Sequence, residues 1–375
     1  MTIRLARPLL GEAEAAAVAE VLQSGRLIQG PRVAEFEARC ADVIEVPHAV
    51  ACSSGTTALH LALLALEADP RTKVVVPGFT FPATANAVLN AGLEPVLVDV
   101  DPTTYNFDPD DLRRVLDAID GPAVFLPVHQ FGLPSPLDEV GSLCRDRGVV
   151  VVEDAACALG GALTIDGERV EAGAMGDMGC FSFHPRKVIT TGEGGLVSTA
   201  DPVYDERLRL QRNHGLVRTE AGMEFALAGH NFRLTEMQAA IGLVQLGRLA
   251  HLMADRRRLA DGYDARLADL RERGLELPRV PAGAVPSWQS YVVRVPEGVD
   301  RDALMRGLYE DGIECSVGAH ALHTQPAYAA LGGFRRPMPG ADDCRRRALC
   351  LPVATGITDA ELDRVVERLT ARLWV

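Results

Sequence analysis

The chain has 375 residues, which is more than one hydrophobic core usually organises, so we expect a large domain and a smaller one. Hydrophobic residues make up 47% of the chain and charged residues 24%, as in folded globular proteins rather than disordered ones. The formal net charge is −13, and no block of five like charges occurs. We therefore expect neither nucleic acid nor an anionic membrane as a partner.

The eight cysteines are scattered along the chain without a C-x-x-C pair, which argues against a zinc site and against a disulfide framework. Residues 1–22 carry Glu12, Glu14 and Glu20 within an apolar pattern, so they predict an amphipathic helix rather than a signal peptide. No apolar stretch is long enough to span a membrane. We expect a cytoplasmic protein with reduced thiols and no bound metal.

Short β-branched runs alternate with helical patterns between residues 48 and 200, which is typical of parallel strands joined by crossover helices. Some strands are apolar on both sides, so helices should cover both faces of the sheet. The predicted strands are 48–53, 73–78, 94–100, 123–129, 148–154, 180–184 and 194–199. The predicted helices are 56–66, 82–91, 109–119 and 136–147.

A long helical pattern over residues 234–270 leads to a segment rich in proline and glycine, residues 278–288. A predicted strand and two predicted helices follow this segment. They cover residues 289–296, 301–312 and 359–373. We predict a large domain over residues 1–250, which includes the N-terminal helix, and a small α+β domain over residues 251–375.

A lysine, Lys187, lies between the predicted strand 180–184 and a glycine-rich turn. Without further context, such a lysine is most often a solvated loop cation, because lysines are rarely buried. The functional interpretation is an amine kept uncharged by burial and by a neighbouring cation, such as Arg186. An uncharged amine can attack an aldehyde.

An acidic pair, Glu153 and Asp154, ends the predicted strand 148–154. The carboxyl ends of parallel strands are where such sheets bind ligands. A carboxylate at this edge is placed to pair with a heterocyclic cation, as the ring nitrogen of pyridoxal phosphate requires. Taken alone, the motif is explained equally well by an acid that caps the next turn.

A Ser/Gly/Thr turn leads from the first predicted strand into a helix. The backbone N–H groups of Gly55 and Thr56 would stand at the helix start, where free donors and the helix dipole favour a phosphate. An ordinary N-cap is the commoner explanation of such a turn, and the spacing matches neither a P-loop nor a dinucleotide fingerprint. The three motifs together supply the three anchors of pyridoxal 5′-phosphate: a phosphate cradle, a ring-nitrogen partner and a lysine.

The motifs resemble those of the DegT/DnrJ/StrS family of sugar aminotransferases along essentially the whole chain. This resemblance implies the α/β type I fold of pyridoxal-phosphate-dependent transferases. Such a fold has a large domain with a mostly parallel seven-stranded sheet covered by helices, and a small α+β C-terminal domain. The matching segments are 24–37, 53–63, 77–88, 95–106, 151–161, 181–195, 212–215 and 229–246.

The resemblance assigns roles to individual residues. It implies that Lys187 forms the Schiff base with the cofactor and carries the proton, that Asp154 pairs with the pyridine nitrogen, and that Phe81 stacks on the ring. Cys157 stands where many relatives have glutamine or histidine beside the phenolic oxygen. A thiol donates only a weak hydrogen bond, so we assign Cys157 to the pocket without a catalytic role. Three residues are expected to hold the phosphate: Gly55, Thr56 and Ser182.

In the family, the segment that matches residues 229–234 reaches into the site of the neighbouring subunit. Asn231, with Arg233 as a second candidate, would then complete the phosphate pocket from the partner subunit. This implies a homodimer with its active sites at the subunit interface. A second interpretation of Asn231 is a helix cap before Leu234, because asparagine is a favoured capping residue.

The implied reaction is a transamination, in which L-glutamate or L-glutamine gives its amino group to the keto group of a nucleotide-linked deoxysugar. A keto-cyclitol is an alternative acceptor. Two further alternatives are a sugar dehydratase, which in this family carries histidine in place of the lysine, and a non-catalytic regulatory relative. The presence of Lys187, Asp154 and Ser182 favours catalysis.

Five further side chains are candidates for the surroundings of the site. Three of them, His320, His323 and Tyr291, are candidates to line the sugar side, although histidines on a surface loop are an equally good interpretation. The other two, His129 and His184, lie at predicted strand ends, where a packing role is equally good.

Overall fold

The fold is built around a seven-stranded sheet in a computed structural model that describes residues 2–220 and 222–373. The strands are β1 His48–Cys52, β2 Lys73–Pro77, β3 Phe79–Thr80, β4 Glu94–Val98, β5 Ala123–Phe125, β6 Val150–Asp154, β7 Ala162–Ile165, β8 Glu168–Glu171, β9 Met178–Ser182, β10 Gly195–Thr199, β11 Leu216–Thr219, β12 Gly222–Phe225, β13 Ala284–Val285, β14 Tyr291–Arg294, β15 His320–Ala321 and β16 Ala348–Leu351.

The central sheet has the order β1-β10-β9-β6-β5-β2-β4. Strand β10 runs antiparallel to both of its neighbours, whereas the other adjacent pairs are parallel. These are the seven strands predicted from the β-branched runs, so the mostly parallel seven-stranded sheet is confirmed. Because the parallel strands β6 and β9 are neighbours, the chain segments that follow them meet at one edge of the sheet.

Helices cover the sheet. They are α1 Glu12–Ser24, α2 Pro31–Ile44, α3 Gly55–Ala65, α4 Ala83–Asn90, α5 Pro109–Asp117, α6 Gly141–Asp146, α7 Pro202–Arg212, α8 Glu236–Leu246, α9 Leu249–Leu267, α10 Arg301–Glu310, α11 Pro339–Arg347 and α12 Asp359–Arg372. Helix α3 packs on β9 and β10 and is buried along most of its length, because from Ala58 onward its side chains are alanine and leucine except for His60. Its burial fixes the position of its N-terminus over the edge of the sheet.

Two predicted helices differ from the structure. The pattern over 234–270 is divided into α8 and α9, because a glycine lowers helix propensity and the next residue, Arg248, is held by Glu14 at 2.8 Å. The helix predicted over 136–147 forms only at Gly141–Asp146. The chain before it is tied to the end of β5 by Ser135, whose Oγ donates to the Val128 carbonyl at 2.6 Å.

The hairpin β7–β8 was not predicted, although the sequence carries a signal for it. Asp166 and Gly167 form its two-residue turn with φ of +51° and +85°. Asp-Gly is a favoured pair for such a turn, because both central residues adopt a left-handed backbone. The second hairpin, β11–β12, projects two exposed apolar side chains, Met223 and Phe225.

A second core lies under the C-terminal part of the chain, where β14 pairs with β16 and α9, α10 and α12 contribute apolar side chains. Ile3 belongs to this core, and its N–H donates to the Gly312 carbonyl at 2.8 Å. The boundary predicted between residues 250 and 251 falls in the first turn of α9 and stays a prediction. Among the described residues, no helix is both long enough and apolar enough to cross a membrane.

Candidate active site

The two adjacent acids at the end of β6 point to opposite faces of the sheet. Glu153 is fully buried and accepts a hydrogen bond from His129 Nε2 at 2.7 Å. It also accepts the backbone N–H groups of Gly173, Met175 and Gly176 at 2.7 to 2.8 Å. With four donors, its acceptor sites are satisfied. Glu153 therefore holds the loop before β9 in place, and it is not available to a ligand.

Asp154 faces the other side, toward the lysine. Its side chain is 5% exposed and accepts Thr84 Oγ1 at 2.8 Å and the Ala156 N–H at 3.2 Å. Burial raises the pKa of the Asp154 carboxyl, while the Thr84 and Ala156 hydrogen bonds and the charge of Lys187 act in the opposite direction. A cationic ring N–H placed against this carboxylate would offset the cost of burial. Asp154 thus fits the role of ring-nitrogen partner.

Thr84 orients Asp154, and the sequence analysis did not single it out. It lies fully buried in the first turn of α4, 3.2 Å from Thr80 Oγ1. The sequence signal for Thr84 is its place in the segment 77–88, one of the segments that carry the family resemblance. A helix that follows β3 carries this hydroxyl to the end of β6.

His129 has a packing role. Its Nδ1 accepts the N–H of Ser135 at 2.9 Å, so the ring proton lies on Nε2 and is donated to Glu153. The imidazole is fully buried and both ring nitrogens are used. His129 therefore supports the chain beneath Asp154 and does not reach a substrate.

Lys187 lies in the turn after β9, where its N–H donates to the His184 carbonyl at 2.8 Å. Its side chain is half-buried, and Nζ lies 3.1 Å from Cys157 Sγ. The chain contains one other lysine, Lys73, which pairs with Glu94 at the amino ends of β2 and β4. The structure therefore brings Lys187, Cys157 and Asp154 together and places the second lysine at the opposite edge of the sheet.

The expected phosphate residues meet at the N-terminus of α3. A Cβ atom on Gly55 would lie 2.6 Å from Ser182 Cβ, so only glycine permits this close approach. Ser54 is the N-cap and accepts the Thr57 N–H at 3.1 Å, while Thr56 is exposed. The N–H groups of the first helical turn receive no acceptor from the helix itself. This arrangement fits a phosphate group beside Ser182.

Phe81 lies between β3 and α4 and is 65% exposed, which leaves its ring free to stack on a ligand. His320 is also exposed and pairs with Thr80 across the two-stranded contact of β15 with β3. Through Thr80, His320 lies close to the segment that carries Phe81 and Thr84.

Asn231 is exposed, and its segment runs beside the turn that leads into α3. The Ser53 N–H donates to the Phe232 carbonyl at 2.9 Å, and Arg233 Nη1 donates to Asn213 Oδ1 at 2.7 Å. The interpretation of Asn231 as a helix cap is wrong, because Thr235 is the N-cap of α8. The trans role of Asn231 stays a prediction.

Three of the remaining candidates take different positions. Tyr291 cannot line the sugar side, because it is fully buried in the C-terminal core, where its hydroxyl donates to Asp264 at 2.6 Å. His323 is mostly buried, and its Nε2 lies 3.3 Å from Asp342 Oδ1, so this histidine has a packing role. His184 lies in the lysine turn, and burial is the main reason that its pKa is lowered.

Comparison with known proteins gives the family of the chain. Residues 8–370 match the DegT/DnrJ/EryC1/StrS aminotransferase family. GDP-perosamine synthase from Caulobacter vibrioides is 38% identical over 342 residues, which are 91% of this chain and 90% of that protein. The aminotransferase TlmJ from Streptoalloteichus hindustanus is 34% identical with a TM-score of 0.91, over 100% of this chain and 99% of TlmJ. The PLP form of the putative sugar aminotransferase Spr1654 from Streptococcus pneumoniae is 28% identical with a TM-score of 0.91, over 100% of this chain and 99% of Spr1654.

The fold and the site define an aminotransferase of the type I fold that uses pyridoxal phosphate. The chain belongs to the DegT/DnrJ/EryC1/StrS aminotransferase family. The residues present fit this cofactor, because a buried carboxylate, a half-buried lysine and a glycine-permitted helix N-terminus meet at one edge of the sheet. Each of these three groups comes from a different element, β6, the turn after β9 and α3.

Proposed function

We propose that the protein transfers the amino group of L-glutamate, or of L-glutamine, to the keto group of a nucleotide-linked deoxysugar in amino-sugar biosynthesis. The relative at 38% identity supports this substrate class, because its name contains the nucleoside diphosphate GDP. The aminotransferase relatives do not favour the dehydratase or regulatory alternatives. Because the net charge is −13, an anionic nucleotide needs local basic groups, and Arg186 and His320 are exposed beside the site.

The proposed division of labour follows from the geometry, and the observation that carries it is the half-buried Lys187 beside the buried Asp154. Bound pyridoxal phosphate supplies an electron sink for the charge left on a carbon that loses its proton. Lys187 would hold the cofactor through its aldehyde group, and the free amine at Nζ would move the proton. Asp154, held by Thr84, keeps the ring nitrogen protonated, and Cys157 limits the positions that Nζ can take.

Three residues are proposed to hold the phosphate within one chain. The N–H groups of Gly55 and Thr56 offer two donors at the start of α3, and Ser182 Oγ lies against Gly55. Phe81 offers its ring face to the cofactor, because most of its surface is exposed. These contacts orient the cofactor between Asp154 and Lys187.

The proposed assembly is a homodimer in which Asn231 of one subunit completes the phosphate site of the other. Asn231 is exposed on the chain that carries it, so it is available to a partner. The β11–β12 hairpin carries Met223 and Phe225, which are 68% and 71% exposed. Large apolar side chains exposed together are typical of a surface that a partner covers.

We place the enzyme in the cytoplasm, which suits its eight free cysteines.

The first test is spectroscopic. The purified protein incubated with pyridoxal phosphate should turn yellow, and borohydride reduction of this yellow sample should leave the cofactor mass on Lys187. In a separate, unreduced sample, addition of L-glutamate should remove the yellow absorption. Lys73 is the internal control, since it is paired with Glu94 and should stay unlabelled. A colourless protein with no label on Lys187 would contradict the proposal. A labelled protein that aminates no acceptor in a panel of nucleotide-linked keto-sugars would refute the substrate class alone.

A further inference from the structure

The turn that carries Cys157 and the turn that carries Lys187 are both contacted by residues 287–289, which we call the brace. Ser287 Oγ donates to the Cys157 carbonyl at 2.7 Å. Gln289 Nε2 donates to the Arg186 carbonyl at 3.0 Å, and its Oε1 accepts Ser290 Oγ at 2.9 Å, which fixes the orientation of the amide. The brace thus contacts the turn of Cys157 and the turn of Lys187 at the same time.

Arg256, in the third turn of α9, joins the brace to the lysine. Its Nη1 donates to the carbonyls of Trp288 at 3.1 Å and Gln289 at 3.0 Å, and its Nη2 donates to the Lys187 carbonyl at 3.4 Å. The residue is 6% exposed, and its Nε has no hydrogen-bond partner. Within the described residues, no carboxylate forms an ion pair with Arg256.

This position is unusual for an arginine. Burial lowers the pKa of the Arg256 guanidinium to about 10, so the side chain is still charged at neutral pH. A buried charge without a close counter-ion is unfavourable, and the charge of Asp255 offsets only part of that cost. An apolar side chain would also leave the carbonyls of Lys187, Trp288 and Gln289 without this donor. The backbone of Trp288 is left-handed, with φ of +51°, which is rare for a bulky residue. Strained backbone of this kind is concentrated at functional sites.

We propose that Arg256 is a positioning residue, which fastens the turn of Lys187 to the brace and so fixes where Nζ meets the cofactor. Three carbonyls from two segments converge on one planar fork of donors, and only a guanidinium supplies that geometry. The Lys187 N–H donates to the His184 carbonyl within the turn, and Arg256 adds a hydrogen bond to the Lys187 carbonyl from outside the turn. This inference rests on the proposed function only in taking Lys187 as the attachment point.

The test compares Arg256→Met with Arg257→Met, its neighbour on the same helix. Arg257 is the matched control, because its side chain is 67% exposed and its ion pair with Asp261 spans 4.0 Å. In the cofactor-free protein, we expect Arg256→Met to speed amide hydrogen exchange in residues 183–188 about tenfold or more, with no such change in Arg257→Met. With cofactor bound, we expect weaker induced circular dichroism and a kcat about ten- to a hundredfold lower, with a smaller change in KM.

Two further variants keep the inference testable if Arg256→Met folds poorly. Arg256→Lys keeps the charge but not the planar fork and should give intermediate exchange and dichroism. Gln289→Ala removes one brace contact and should shift both readouts in the same direction. A lower melting temperature with unchanged exchange in 183–188 and unchanged dichroism would overturn the proposal. The exchange measurement needs no cofactor, so a failure of the proposed function would leave its result intact.

Discussion

Burial of the Asp154 carboxylate is unfavourable in the cofactor-free protein. In the cofactor-bound protein, the same burial would favour pairing with a cationic ring nitrogen. Its raised pKa means that the folded state holds the proton more tightly than the unfolded state does. Stability of the cofactor-free protein should therefore fall as pH rises above the ordinary aspartate value of 3.8, through the raised value. A protonated cofactor ring nitrogen paired with Asp154 would offset this cost by supplying a positive partner.

Asp154→Asn tests that balance. Asparagine has the same shape, can accept the Ala156 N–H and can donate to the Thr84 hydroxyl, so the cofactor-free variant should melt at the same temperature as the parent or higher at pH 7. The acidic part of the pH dependence should flatten. Transamination should fall about a thousandfold or more, because the ring nitrogen loses its anionic partner. Calorimetry from pH 4 to 8 and a rate assay measure both, and a clearly destabilised variant would contradict this account.

Residue roles were predictable where one side chain of a given type stands out. Lys187 is one of two lysines, and Asp154 ends an apolar strand, so both could be singled out. Residue type alone could not show which of the two acids, Glu153 or Asp154, faces the site, since this depends on which face of β6 meets the site. Thr84 and Arg256 were missed because their contacts join distant segments, and a threonine or arginine inside a helix is ordinary in sequence.

At the scale of elements, the start of α3 is set by a close approach rather than by helix propensity. A Cβ on Gly55 would lie 2.6 Å from Ser182 Cβ and 3.0 Å from its Oγ, so the helix N-terminus would have to move away from β9. Such a shift would draw the N–H groups of residues 55 and 56 out of reach of a phosphate that stays near Ser182.

Gly55→Ala should therefore weaken cofactor binding about tenfold or more, with a smaller loss of activity when the cofactor is in excess. Equilibrium titration with pyridoxal phosphate, followed by absorbance, measures the change. Gly247→Ala is the control, because the nearest atom to its added Cβ lies 3.4 Å away and its backbone is close to helical, so it should bind the cofactor normally. Equal affinities for the two variants would refute the phosphate cradle.

The strands of the central sheet could be predicted because they are short, largely apolar runs bounded by turns or helical patterns. The β7–β8 hairpin could also have been found from Asp166–Gly167, a turn signal that was not used. The break between α8 and α9 could not be predicted in this way. An apolar helical pattern continues across it, and the interruption depends on the ion pair of Arg248 with Glu14 in α1. Element type thus follows from local sequence, and element ends follow from tertiary contacts.

For the whole molecule, the decisive question is whether each site draws on two chains. Lys187→Ala and Asn231→Ala should each be nearly inactive alone. If Asn231 acts in trans, a mixed dimer has one site with both residues intact, so the mixture should recover about a quarter of the parent activity after subunit exchange. Lys187→Ala mixed with Asp154→Asn is the control and should recover nothing, because both residues serve the same chain's site. No recovery in either mixture would place Asn231 in its own chain's site.

Chain-level organisation was the hardest part to predict. Ile3 lies in the core formed by the C-terminal helices, and Arg279 donates its N–H to the Thr103 carbonyl at 3.2 Å, so distant parts of the sequence are joined. Neither contact has a local signal. The brace is a further case, since Ser287 and Trp288 were assigned to the segment rich in proline and glycine, residues 278–288, and Gln289 to the start of the predicted strand 289–296.

The alternation of Glu153 and Asp154 on β6 makes the pairing register of one strand a functional property. A slip of one residue would exchange the two faces and present the glutamate to the cofactor and the aspartate to the loop before β9. Such a slip would also take Glu153 away from its four donors, His129 Nε2 and the N–H groups of Gly173, Met175 and Gly176. The acid that faces away from the lysine therefore helps to hold the strand in the register that presents its neighbour to the site.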